Sequence, residues 1–184
     1  MTLLIGIQRP LLLPHLGLYG LVALPVLVEM PVEIRLLSLA LGAILIWISC
    51  VDLKRFVIPD KASASLALTG VAATLIHAPE LMLQHLGAGV LAGGLFWALA
   101  ECFRALRGYD GLGLGDAKLI AGSALWLGLW ALPAVIFIAA ISGLTITLFY
   151  RATMGVAKTD RIGIALGPFL AFATWLTWLY GPLI

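Results

Sequence analysis

Charged residues and metal-binding residues are scarce in this chain of 184 residues. Only 11% of the residues are charged and 62% are hydrophobic, whereas about a quarter of a soluble globular domain is charged, so the composition indicates a membrane protein. The two cysteines, Cys50 and Cys102, form no CxxC motif, which excludes a thiolate zinc site. The three histidines lack the spacing of metal ligands. The sequence therefore predicts no metal and no other cofactor.

Long apolar runs separate the few charges. A helix needs roughly 20 apolar residues to cross the hydrocarbon core, with about 17 as a practical minimum. The seven candidate spans are about 11–28, 36–51, 62–78, 81–101, 117–132, 134–150 and 162–181. Only the region around Pro133 divides the fifth and sixth spans, which predicts a tight hairpin or a re-entrant segment. The expected fold is an all-α, polytopic transmembrane bundle of about seven spans, with six and eight as the alternatives.

The chain has the length of one compact unit and shows no internal repeat. We divide it into an N-terminal span with a short outer connection, 1–35, and a core, 36–184. In the fourth span Gly89 and Gly93 are four residues apart, a spacing that predicts close approach of a neighbouring helix.

Basic residues concentrate on one side of the predicted bundle. Nine of the eleven fall in alternate connections: Lys54, Arg55, Lys61, Arg104, Arg107, Lys118, Arg151, Lys158 and Arg161. Cytoplasmic loops of membrane proteins are enriched in Lys and Arg, so this face is predicted to be cytoplasmic, with the N-terminus inside and the C-terminus outside. Arg35, beside Glu29 and Glu33, departs from the pattern.

Two acidic residues stand at the membrane edge of predicted spans. Asp52 directly follows the apolar run LGAILIWISCV, and Asp116 begins the fifth span, where an ionisable group is costly unless solvated or paired. Two carboxylates held close share a proton, which suits hydrolysis: one acid activates water while the other protonates the carbonyl oxygen. Alternatively, Asp116 is a helix N-cap, and Lys54 and Arg55 offset the charge of Asp52.

The stretch GLGLGDAKL, residues 111–119, combines alternating glycines with an acid. Because Gly113 and Gly115 lack a β-carbon, their backbone can adopt unusual dihedrals and lie against an extended substrate. An ordinary flexible connection is the alternative. The spacing fits neither the dinucleotide fingerprint nor a phosphate-binding loop.

This stretch resembles the GxGD signature of the type IV prepilin peptidases, polytopic aspartic proteases of bacterial inner membranes. VDLKRFVIPD (51–60) resembles the first half of that signature, and LWLGLWALP (125–133) fits the segment after GxGD. GIALGPFLAF (163–172) is similar to the family's Gly-Pro-Phe stretch in the last span. The resemblance covers roughly residues 36 to 182, with the motifs in the expected order.

The resemblance implies that Asp52 and Asp116 are the two catalytic aspartates. The substrate-binding residues that it implies are Gly113, Gly115, Lys118 and Asp110. For Lys118 the alternative is a snorkelling anchor at a helix end. Asp60, after Pro59, is expected to start the third helix.

The resemblance also implies a reaction and its partners. Family members cleave the basic leader of prepilins or pseudopilins, after a Gly that precedes an apolar helix, at the cytoplasmic face of the membrane. The expected partners are such a substrate and membrane lipid, without nucleic acid. Because EMPVEIR (29–35) leaves no room for a cytoplasmic domain with paired CxxC motifs, no methyltransferase activity is expected. The alternatives are a proton-coupled transporter or channel, and a non-catalytic membrane chaperone that binds pilin-like helices.

Overall fold

The computed structural model describes residues 12–108, 113–154 and 165–181. Within these ranges the chain forms seven α-helices and no strand: α1 Leu12–Glu29, α2 Val32–Arg55, α3 Asp60–His77, α4 Met82–Arg107, α5 Leu114–Leu127, α6 Leu132–Met154 and α7 Gly167–Tyr180. A short 3-10 turn, Pro79–Leu81, precedes α4. Each predicted span overlaps one of these helices, so the prediction of an all-α bundle is confirmed.

The exterior of the bundle is apolar. In the described part of the chain, the segments long and apolar enough to cross a membrane are Val32–Arg55, Pro79–Arg107 and Leu132–Thr153, and Leu16–Glu29 is a shorter apolar helix. Large apolar side chains point outward from them, such as Leu21 and Leu83, which are 74% and 85% exposed. Water does not stabilise such a surface and lipid does, so the chain is a multi-pass membrane protein.

Two short helices lie inside the bundle. α5 and α7 have 14 residues each, which gives a length of about 21 Å, less than the roughly 30 Å of a hydrocarbon core. No side chain is exposed between Leu119 and Leu127 or between Gly167 and Leu179. α3 and α4 pack on α5, α2 and α6 pack on α7, and the two short helices contact each other.

The boundary between the fifth and sixth helices differs from the prediction. α5 ends at Leu127, and Gly128 follows with φ of 76°, a left-handed value that favours glycine. Pro133 is the second residue of α6. The N–H groups of the first turn have no partner within the helix, so the N–H that proline lacks is not needed there. The two helices are thus divided near Pro133, as predicted, but the break lies a few residues earlier, at 128–131.

Side chains from α3 and α4 satisfy the C-terminal end of α5. The carbonyl oxygen of Leu125 accepts hydrogen bonds from Nδ1 of His85, at 2.9 Å, and from Oγ1 of Thr74, at 3.3 Å. The last carbonyl groups of a helix lack N–H partners within the helix, and the side chains of His85 and Thr74 supply the missing hydrogen bonds. Nε1 of Trp126 donates to the carbonyl oxygen of Leu66 at 2.9 Å and ties α5 to the middle of α3.

The predicted close approach along α4 is confirmed. A β-carbon on Gly89 would lie 2.9 Å from Cδ2 of Leu125, and one on Gly93 would lie 2.9 Å from Cβ of Ala121. Real β-carbons do not approach other atoms this closely. Glycine at these two positions therefore allows α4 to pack directly on α5.

Arg35, the exception to the charge pattern, has a local structural role. Its Nη2 donates hydrogen bonds to the carbonyl oxygens of Met30, at 2.7 Å, and Val28, at 3.1 Å. These carbonyls lie at the end of α1, where a cation also interacts favourably with the helix dipole. Arg35 thus stabilises the turn between α1 and α2.

Candidate active site

Asp52 lies in the last turn of α2, as the sequence predicts. The helix ends at Arg55, and Phe56 terminates it with a left-handed φ of 55° while its N–H donates to the carbonyl oxygen of Asp52 at 2.8 Å. The Asp52 side chain is only 5% exposed, whereas Lys54 and Arg55 are exposed to solvent. The carboxylate therefore points into the bundle while the basic residues point away from it.

Asp116 lies in the first turn of α5, but it is not the N-cap residue. Gly113 occupies the N-cap position, with φ of −70° and ψ of 134°, and no side chain caps the helix. Asp116 is the third helical residue, and its side chain is 9% exposed. The N-cap interpretation of Asp116 is thus wrong, although the helix dipole still favours a carboxylate in the first turn.

The fold brings the two acids together. Asp52 and Asp116 lie close enough to interact electrostatically, although 64 positions separate them in the sequence. They carry the only buried carboxyl groups in the part of the chain that the structure describes. Interaction between two carboxylates favours the state in which one of them is protonated, and in that state one can act as an acid while the other acts as a base.

Gly167 holds the carboxylate of Asp52. Its backbone N–H, at the start of α7, donates a hydrogen bond of 3.0 Å to Oδ2 of Asp52. A β-carbon on Gly167 would lie 2.5 Å from that oxygen, so only glycine fits. The sequence showed the Gly-Pro start of this helix, but it gave no sign that Gly167 contacts Asp52.

The glycines before Asp116 serve close packing rather than unusual dihedrals. Positive φ among the described glycines occurs at Gly108, Gly128 and Gly181, and neither Gly113 nor Gly115 belongs to this group. A β-carbon on Gly113 would lie 3.0 Å from Oδ2 of Asp116, and one on Gly115 would lie 3.0 Å from Cβ of Ile58. The expectation of unusual dihedrals at Gly113 and Gly115 is therefore wrong.

Lys118 lies on the same end of α5 and pairs with another acid. Its Nζ is 2.5 Å from Oδ1 of Asp60, and both side chains are largely exposed. Asp60 is the first residue of α3, as the sequence predicts. The pair joins the N-terminal ends of α3 and α5 at the rim of the site. Asp110 lies outside the described residues.

An apolar cavity of about 330 Å³ lies in the part of the bundle that the structure describes. Its lining includes Leu53 and Pro168, the residues that follow Asp52 and Gly167 in the sequence. The other lining residues are Pro14, Leu18, Ser142, Ile146, Phe169 and Phe172. The cavity thus lies between α1, α2, α6 and α7, and neither acid is among its lining residues.

The arrangement suits hydrolysis by a pair of carboxylates. The described residues contain no group of three or more His, Cys, Asp or Glu side chains that could hold a metal ion. Asp52 and Asp116 can supply an acid and a base at a buried position, which is what the activation of water against a carbonyl group requires.

Known proteins match this chain across the site. The model of the type IV leader peptidase family matches residues 39–148, a range that includes both Asp52 and Asp116. No solved structure matches significantly.

Several curated relatives carry the name prepilin leader peptidase/N-methyltransferase. That of Dichelobacter nodosus is 33% identical over 153 residues, which are 80% of this chain and 51% of the relative. That of Pectobacterium carotovorum subsp. carotovorum is 36% identical over 136 residues, 73% of this chain and 47% of the relative. That of Neisseria gonorrhoeae is 34% identical over 144 residues, which are 78% of this chain and 48% of the relative.

The chain spans about half the length of the curated relatives that it matches. The family model nevertheless covers more than half of this chain, and the resemblance seen in the motifs is thereby confirmed. The chain belongs to the type IV leader peptidase family.

Proposed function

We propose that the chain is a membrane aspartic endopeptidase that removes the leader peptide of type IV prepilins or pseudopilins. The observation that carries the proposal is the burial of Asp52 and Asp116 together at one end of the bundle. The names of the curated relatives support the reaction and the substrate class.

In the proposed mechanism the two aspartates act on water without a covalent intermediate. The charged member of the pair takes a proton from water, which attacks the scissile carbonyl carbon, while the protonated member donates to the carbonyl oxygen. The N–H of Gly167 holds the Asp52 carboxylate in place through this step. Because the two groups titrate as a pair, the rate should show a bell-shaped dependence on pH.

The surroundings of the pair suit the substrate proposed. Prepilins carry a basic leader before an apolar helix, so the scissile bond must lie where charged and apolar surfaces meet. The apolar cavity lined by Leu53 and Pro168 is proposed to receive apolar side chains of that helix. Gly113, Gly115, Lys118 and Asp110 are proposed to contact the extended segment around the bond.

We place the reaction at the cytoplasmic face of a bacterial inner membrane. Exposed basic residues support this orientation: Lys54 and Arg55 end α2, and Arg104 and Arg107 end α4, both at the end of the bundle that carries the acids. Basic residues are enriched on cytoplasmic faces.

A cleavage assay with three variants tests the proposal. Purified wild-type protein in liposomes is incubated with a full-length prepilin. The variants Asp52→Asn, Asp116→Asn and, as the matched control, Asp60→Asn are assayed in the same way. We expect the wild-type protein to cleave after the leader Gly, with or without chelator. The cleavage rate should fall at least about 10³-fold in the first two variants and stay near wild type in the control, because only the buried pair performs the acid–base chemistry.

Other outcomes favour the alternatives. Cleavage that survives in purified Asp52→Asn or Asp116→Asn would overturn the assignment of the pair. Tight binding of prepilin without any product, in wild type as well, would favour a chaperone. Proton-dependent flux in liposomes without cleavage would favour a transporter or channel.

A further inference from the structure

We propose that Ile58 is a positioning residue that sets the separation of Asp52 and Asp116, a role that rests on the proposed peptidase function. Ile58 lies in the short connection between α2 and α3, and its side chain is only 6% exposed. It has no chemical group that could react. Its importance comes from the two backbone segments that it contacts.

On one side Ile58 contacts the segment that carries Asp116. A β-carbon on Gly115 would lie 3.0 Å from Cβ of Ile58, 3.3 Å from Cγ1 and 3.4 Å from Cδ1. The branched side chain thus fills the space over the backbone of Gly115. Since Asp116 is the next residue on the same helical turn, the volume of Ile58 limits how far this turn can move inward.

On the other side Ile58 contacts the residue that holds Asp52. A β-carbon on Gly167 would lie 3.2 Å from Cδ1 of Ile58, and the N–H of Gly167 donates to Oδ2 of Asp52 at 3.0 Å. A continuous path of contacts therefore runs from Asp52 through Gly167, Ile58 and Gly115 to Asp116. The side chain of Ile58 thus stands between the backbone at Gly115, next to Asp116, and the backbone at Gly167, which holds the carboxylate of Asp52.

The connection that carries Ile58 is fixed at both ends. Phe56 before it is held by the hydrogen bond of its N–H to the carbonyl oxygen of Asp52. Pro59 after it is the N-cap of α3, and its carbonyl oxygen accepts from the N–H of Ser63 at 3.0 Å. Ile58 therefore cannot withdraw without moving α2 or α3.

The charges near this connection lie outside the path of contacts. Lys54 and Arg55 are exposed at the end of α2, and Asp60 and Lys118 form their exposed pair at the rim. None of these side chains is buried. A change at Ile58 thus alters the packing between the two acids without removing a charge.

The first test truncates Ile58 in the full-length protein and uses matched controls. Ile58→Ala should lower kcat for prepilin cleavage at least about tenfold with KM changed less than about twofold, because displaced catalytic groups slow the chemical step rather than binding. Ile58→Leu, which keeps the side-chain volume and a δ-carbon, should stay within about threefold of wild type.

Leu41→Ala separates positioning from general destabilisation. Leu41 is a fully buried aliphatic residue of α2, 11 residues before Asp52 and so about 16 Å away along the helix. We expect it to lower the melting temperature about as much as Ile58→Ala does while leaving kcat near wild type. Equal losses of kcat in the two variants would overturn the proposal.

The second test does not depend on cleavage. Infrared titration of ¹³C-labelled aspartate would follow Asp116 with and without Asp52→Asn, and the change in its titration midpoint measures the coupling between the two acids. This coupling should grow in the Ile58→Ala background, because the turn of Asp116 can then move inward and electrostatic interaction strengthens as the distance shortens. It should stay at the wild-type value in the Leu41→Ala background.

The two tests distinguish a failure of the proposed peptidase function from a failure of the positioning role of Ile58. A wild-type protein that cleaves no prepilin contradicts the proposed function, while the infrared coupling still decides the role of Ile58. Coupling that is unchanged in the Ile58→Ala background overturns the positioning role, whatever the cleavage assay shows.

Discussion

Replacing Gly167 with alanine should remove most of the activity through a single added methyl group. The new β-carbon would lie 2.5 Å from Oδ2 of Asp52, 3.0 Å from its Cγ and 3.2 Å from Cδ1 of Ile58. To bring the first distance to 3.4 Å, where ordinary van der Waals contact begins, the carboxylate must move by 0.9 Å, the difference of the two values. The side chain of Ile58 blocks another direction in which the methyl group could find room.

The magnitude follows from the hydrogen bond and from the displacement. A hydrogen bond to a charged group contributes about 1.5–3 kcal/mol, and the bond from Gly167 to Asp52 is lost or distorted. A misplacement of about 1 Å in a catalytic group costs roughly 100-fold in rate, so we expect kcat to fall by about that factor. Stability should also fall, although Gly to Ala within a helix usually raises it by about 0.5–1 kcal/mol.

The assay compares two Gly to Ala variants in the same liposomes. Gly94 of α4 has no atom within 4 Å of an added β-carbon, so Gly94→Ala should keep wild-type kcat and gain up to about 1 kcal/mol of unfolding free energy. Prepilin cleavage gives kcat, and thermal unfolding in detergent gives stability. A Gly167→Ala variant with wild-type kcat would refute the reasoning, because it would show that the Asp52 carboxylate can move away from the added methyl group without loss of activity.

Two further predictions concern contacts of α5. Lys118→Met should lower the unfolding free energy by less than about 1 kcal/mol, because the side chains of its ion pair, Lys118 and Asp60, are 53% and 83% exposed. A coupling energy above that value in a double-mutant cycle with Asp60→Asn would contradict this prediction. Trp126→Phe removes the hydrogen bond to the carbonyl oxygen of Leu66 and should cost about 0.5–1.5 kcal/mol in thermal unfolding, so an unchanged melting temperature would contradict it.

The sequence predicted those parts of the site that depend on where helices begin and end. Apolar runs mark helix length, so the placement of Asp52 at the end of α2 and of Asp116 at the start of α5 could be inferred locally. The position of Asp60 at the start of α3 followed in the same way.

Contacts between distant segments could not be predicted in this way. Gly167 and Asp52 are 115 positions apart, and their hydrogen bond depends on how α7 packs against α2. Ile58 contacts both Gly115 and Gly167 for the same reason. Apolar character also misplaced the break between α5 and α6 by a few residues, because both the turn at Gly128 and the first turn of α6 are flanked by apolar residues.

The two short enclosed helices have a consequence for how the protein tolerates its lipid environment. A bilayer that thickens or thins acts on the helices that touch it, which respond by tilting or by moving their ends. α5 and α7 present no exposed side chain along most of their length, so they have no lipid-facing surface to match to the bilayer. Hydrophobic mismatch therefore falls first on the outer helices, such as α4 and α6. The contacts of Asp116 and Gly167, which belong to α5 and α7, are shielded from changes in membrane thickness.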